Sequence, residues 1–183
     1  MITKKKPVNY VDNKKFYNEI VAYRATVAEA EEKSLDIPRI PEYIGECIFK
    51  IAVKLSTKPC FANYSFRDEM IADGYENSIL YFKGYNPEIT QNPFAYFTQV
   101  IFYAFLRRIS REEKNRYIIY KNFQQTMTLN PSNHMVDEND KSIIPKNMYD
   151  NINDFMSKFE KKEEVRKQKR KQVKEGLDKF YKD

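Results

Sequence analysis

The chain has 183 residues, 42% apolar and 32% charged, with a formal net charge of +6, which allows one helical domain with appended segments and favours a polyanionic partner. No run reaches the eighteen or so apolar residues of a membrane helix, and no apolar stretch follows the lysines of MITKKKPVNY, so neither membrane insertion nor secretion is signalled and a cytoplasmic location is expected. Cys47, Cys60 and the single histidine, His134, lack the common zinc spacings and do not suggest a disulfide scaffold; no metal or cofactor is implied, and both thiols are expected to be reduced and structural.

The pattern predicts an all-α fold. Asp12 or Asn13 can cap a first helix running to about Lys33, with Phe16, Ile20, Tyr23 and Val27 on its apolar face. Pro38 and Pro41 punctuate the connection. A second helix from about Pro41 to Thr57 is expected to bury Ile44, Ile48, Ile51, Ala52 and Leu55. After Pro59 a short loop leads to a third helix, from Asp68 to about Tyr85. Here Glu69, Asp73 and Glu76 share one side at i, i+4, i+7, while Phe66, Met70, Ile71, Ile79 and Phe82 supply a core. The acidic stripe is either a solvated face or a surface for a basic partner.

Asn92 as cap and Pro93 at the first helical position start a fourth helix, and neither Pro nor Gly interrupts it before Pro131. Phe97, Ile101, Ala104, Phe105 and Arg108 fall on one side; Tyr96, Gln99, Tyr103 and Arg107 recur at i, i+3, i+7, i+11 on another. Aromatic rings stack on single-stranded bases and arginines hold phosphates, so the second face suits melted DNA, although aromatics at helical spacing also serve as core. Arg107, Arg108, Arg111, Lys114 and Arg116 make a basic end, diluted by Glu112 and Glu113.

These elements place one helical domain at residues 8–125. Residues 126–150 are polar and proline-containing and read as a linker. Residues 151–183 form a basic tail, a solvated helix or a disordered segment, with Ile152, Phe155 and Phe159 for modest packing and nonspecific attraction to DNA as the functional alternative. Beyond the basic run, Leu177, Phe180 and Tyr181 are three hydrophobes of the kind found in docking peptides.

The string EMIADGYENSILYFKGYN resembles the core-binding helix of bacterial sigma factors, D-L-I-Q-E-G-N-I-G-L-M-K-A-V-D-K-F-D, matching at Glu69, Met70, Ile71, Asp73 and Gly74. The same register puts Tyr96 on the aromatic position of the promoter-melting motif F-S-T-Y-A-T-W-W, Thr98 on its second Thr and Arg107 on a later basic position. The likeness is closer to the divergent late-transcription sigma factor of large tailed phages, whose EMIADG and NPHAYITQ correspond to EMIADG at 69–74 and NPFAYFTQ at 92–99. The opening YVDNKKF is also similar. This chain departs from the general pattern where Gln99 and Val100 replace the paired tryptophans and where Ala72 and Tyr75 replace a Gln and an Asn.

The resemblance implies a sigma factor for phage late genes, acting in the infected bacterial cell. It would bind host core RNA polymerase through Glu69, Asp73, Glu76 and Ile79 against the clamp helices of the largest subunit. It would then recognise and melt an AT-rich −10 element. Phe94, Tyr96, Gln99 and Tyr103 would capture bases of the nontemplate single strand, with Arg107, Arg108 and Arg111 on backbone; Phe94, Phe102 or Tyr103 could stand in for the absent tryptophans. Leu177, Phe180 and Tyr181 would engage the sliding clamp, and a late coactivator could share the work of a missing upstream-reading domain. The alternative is a small helical polymerase- or DNA-binding regulator without opening activity. An enzyme is not expected, because no spacing gathers nucleophiles, acids or metal ligands.

Overall fold

The computed structural model describes residues 10–129 and 146–180, with side chains defined for 10–126 and 149–174. Among the described residues the chain is all-α. The helices are α1 (Asn13–Glu32), α2 (Glu42–Ser56), α3 (Arg67–Leu80), α4 (Pro93–Leu129) and α5 (Lys146–Phe180), with a 3-10 turn at Phe82–Gly84 between α3 and α4. Two compact units divide between Ile109 and Ser110, inside α4. The sequence reading set the boundary near residue 125.

Three helices of the first unit, α1, α3 and α4, start or stop for a local reason. The Asp12 carboxylate accepts from the Lys14 and Lys15 amides at 3.0 and 3.2 Å, capping α1. At its other end Ser34 adopts φ 50°, and the Leu35 and Ser34 amides reach back to the Ala30 and Glu31 carbonyls, a Schellman closure without glycine. The start of α4 is capped twice. The Ala95 amide donates to Asn92 Oδ1 at 3.1 Å and the Phe94 amide to Asn13 Oδ1 at 3.1 Å, so the first turn of α1 also supplies an acceptor to α4.

α3 ends at Leu80, five residues before the expected limit. Asn77 Nδ2 and Ser78 Oγ already donate to the Asp73 and Gly74 carbonyls, a local competition that weakens a helix. The chain then turns inward so that Phe82 and Tyr85 become buried. Phe16 and Ile20 from α1, Ile44, Ile48 and Ile51 from α2, Met70 from α3 and Phe97, Ile101 and Phe105 from α4 complete one core. The apolar spacing read from sequence for all four helices lies on that core, and Phe61, from the α2–α3 loop, joins it with its ring 5.2 Å from that of Phe105.

The second unit is an antiparallel pair of helices. Glu113 meets Lys162 at 2.6 Å, Tyr117 stacks on Phe159 at 4.7 Å, Tyr120 meets Phe155 edge-on at 5.5 Å, and Gln124 Nε2 donates to Asn153 Oδ1 at 2.6 Å. Partners descending as α4 ascends define the antiparallel order. The basic tail is helical as far as it is described; Ile152 and Met156 are its buried side chains, and Phe155 and Phe159, partly buried, set their rings against Tyr120 and Tyr117.

Candidate functional site

The residues singled out in the sequence concentrate where α3 lies against α4. Gly74 sets how closely they approach. A Cβ there would come within 2.8 Å of Ile101 Cγ2 and 2.9 Å of Phe105 Cε1, distances that side-chain atoms do not tolerate. Beside it Asp73 accepts from Arg108 Nε at 2.8 Å and Nη2 at 3.0 Å. This is a forked ion pair with only about a fifth of either side chain exposed.

That pair changes the expected acidic stripe. Glu69 and Glu76 are exposed, but Asp73 is turned toward α4 and engaged with Arg108. The outward strip of α3 is therefore Glu69, Ala72, Glu76 and Leu80, at i, i+3, i+7, i+11, and Leu80 is 69% exposed. Ile79 lies to one side, half-buried, in the wall of a groove of about 330 Å³ that also contains Phe49 and Tyr75. The two rings meet edge-on at 6.2 Å, and Phe49 is half exposed. Sequence reasoning missed Phe49; its signal was an aromatic at an outward position of the α2 pattern.

On α4 the aromatic residues separate into two groups. Tyr96 is part of the framework: its hydroxyl donates to the Tyr81 carbonyl at 3.0 Å and its ring packs against Tyr85 and Phe97 at 5.3 and 5.2 Å. Burial pushes its phenol pKa upward. Phe94, Gln99 and Tyr103, by contrast, line an open groove of about 370 Å³ together with Phe102, Thr98, Leu55 and Lys58. Phe102 and Tyr103 are exposed, with rings 6.0 Å apart and nearly perpendicular. Lys58, at the turn after α2, adds an exposed cation that the sequence analysis did not include. Its signal could not be read locally, because 36 residues separate it from Phe94.

The basic residues of α4 also differ from one another. Arg107 is exposed and donates to Asn77 Oδ1 at 2.7 Å, and Arg108 is engaged with Asp73. Arg111 is exposed and belongs to the second unit. Leu177 and Phe180 fall in the helical backbone of α5, with side chains outside the described residues, as is Tyr181 altogether. Cys47 is buried, whereas Cys60 is exposed and so adds no packing, contrary to expectation.

The first unit thus exposes two surfaces of different chemistry on neighbouring helices. One is acidic with apolar neighbours, suited to a basic amphipathic protein partner; the other is an aromatic, amide-bearing groove edged by a lysine, suited to an unstacked base and its phosphate. Among the described residues no three His, Cys, Asp or Glu side chains gather as a metal site, and no helix is long and apolar enough to cross a membrane. No family model and no curated protein matches this chain.

Proposed function

We propose that this chain is a sigma-type specificity subunit for late transcription in a phage-infected bacterium, binding core RNA polymerase and opening an AT-rich −10 element. The observation that carries the reading is the Gly74 contact. It packs the helix bearing Glu69 and Glu76 directly against the helix bearing Phe102 and Tyr103, and leaves both functional faces exposed. The likeness of 69–74 and 92–99 to the late sigma strings falls on these two helices.

In this proposal Glu69 and Glu76 meet the basic clamp helices of the largest polymerase subunit, with Ile79, Phe49 and Tyr75 offering the apolar part of the contact. Asp73 acts indirectly, by fixing Arg108 and thereby α3 on α4. Phe94, Gln99, Phe102 and Tyr103 receive a base from the nontemplate strand; Tyr96 supports their helix rather than stacking on the base. Lys58 and Arg107 hold backbone. The role of tryptophan, absent from the chain, passes to Phe102 and Tyr103. Leu177, Phe180 and Tyr181 are retained as the sliding-clamp peptide, and a coactivator supplies upstream contacts. No catalytic chemistry is assigned.

Two variants test the division of labour. Glu69→Lys with Glu76→Lys should abolish association with core polymerase in a sedimentation or pull-down assay. Tyr103→Ala should leave that association intact and reduce single-strand capture about 5- to 150-fold, the equivalent of about 1–3 kcal/mol of lost stacking, read as loss of permanganate-reactive thymines on duplex promoter. Association unaffected by the double reversal would refute the polymerase-binding face, and normal opening by Tyr103→Ala would refute the base groove.

A further inference from the structure

The positive charge of this chain is concentrated in one place. Residues 161–174 of α5 contain eight Lys or Arg and two Glu, a net +6 that equals the formal charge of the whole protein. From Arg166 to Lys174 there is no acid at all, and of the six cations in that stretch only Arg166 is ion-paired among the described residues, to Glu163 at 2.8 Å. Lys167, Arg170, Lys171 and Lys174 are exposed and stand at i, i+3, i+4, i+7, which places them on one side of the helix. At 1.5 Å rise per residue the stripe is about 10 Å long, about three steps of about 3.4 Å along one DNA strand and so the reach of about four successive phosphates.

The chemistry around the stripe selects among polyanions. An anionic membrane surface would require a broad apolar face opposite the charges, but residues 161–174 offer only Val165 and Val173. A single strand would require rings on which bases stack, and the same fourteen residues contain no aromatic. A rigid helix with cations on one side and neither apolar nor aromatic anchors fits a regular phosphate backbone. We infer that the α5 stripe Lys167, Arg170, Lys171 and Lys174 is a docking surface for duplex DNA that reads phosphates and not sequence. This inference stands apart from the proposed transcription function, which places base recognition on α4.

The test is fluorescence anisotropy of the full chain with a labelled duplex of mixed sequence at several salt concentrations, for the wild type and for the quadruple variant K167Q/R170Q/K171Q/K174Q. Four lost phosphate contacts should reduce the slope of log affinity against log salt by about 3.6. The variant should accordingly lose about 150-fold less affinity than the wild type between 50 and 200 mM salt. Gln and Lys have similar helix propensity, so helical circular dichroism should be unchanged. A control variant at exposed cations of the first unit, K14Q/K33Q/K54Q/K83Q, should keep the wild-type slope. An unchanged slope in the α5 variant, an equal loss in the control, or a loss of affinity in the α5 variant that is larger for phosphatidylserine vesicles or single strands than for duplex would each overturn the inference.

Discussion

At Gly74 the absence of a side chain has a purpose that its position in a helix obscures. Glycine lowers helix stability by about 1 kcal/mol relative to alanine, so Gly74→Ala on an isolated helix would be favourable. Here the added methyl would meet the branch of Ile101 and the rigid edge of Phe105 at 2.8 and 2.9 Å. Overpacking of about 1–3 kcal/mol should exceed the propensity gain. Urea denaturation is expected to show Gly74→Ala less stable than the wild type; equal or greater stability would mean that α3 and α4 adjust freely. Asp73 raises a related point. Because its carboxylate is held by Arg108, a charge reversal at Asp73 alone would confuse lost folding with lost binding. A double-mutant cycle with Asp73→Asn and Arg108→Gln should give a coupling of about 1–3 kcal/mol in stability, whereas additivity would show the pair to be energetically idle.

At the scale of elements, the loop joining α3 to α4 has its own fastening. Tyr85 is fully buried and its hydroxyl donates to the Thr90 carbonyl at 2.6 Å. Burial pushes its pKa from 10 to about 12. A phenol that holds its proton more tightly folded than unfolded stabilises the fold fully below pH 10 and loses that contribution as pH rises toward 12, on the order of 2–3 kcal/mol. Tyr85→Phe should therefore flatten the loss of thermal stability between pH 10 and 12, and an unchanged alkaline profile would contradict this assignment. The helices themselves were legible from sequence wherever apolar period and caps agreed: Asp12, Asn92 and Pro93 lie at their predicted ends, and Phe97, Ile101 and Phe105 face the core. What could not be read was pairing across the chain. Nothing local indicated that Arg108 would reach Asp73, 35 residues away, or that the Tyr96 hydroxyl would find the Tyr81 carbonyl and remove that ring from the outer face. Lys58 entered the groove for the same reason, through tertiary packing of the α2 end on α4.

For the whole molecule, the two units separate kinds of chemistry. The first exposes an acidic helix and an aromatic groove on a single packed core; the second carries, on α5, the chain's surplus positive charge. The all-α class and the individual helices followed from hydrophobic period, while the packing of α5 on the residues after Ser110 did not, because Phe155 and Phe159 are few among many charges and their partners Tyr117 and Tyr120 lie on a distant stretch of sequence. We propose that the first unit joins polymerase binding to strand capture. The most direct test is transcription in vitro with purified core RNA polymerase on duplex and premelted templates bearing an AT-rich −10 element, with and without sliding clamp. Specific initiation is expected on both templates with the wild type, and only on the premelted template with Tyr103→Ala. Polymerase binding without initiation on either template would contradict the proposal and identify a regulator that occupies the polymerase without opening DNA.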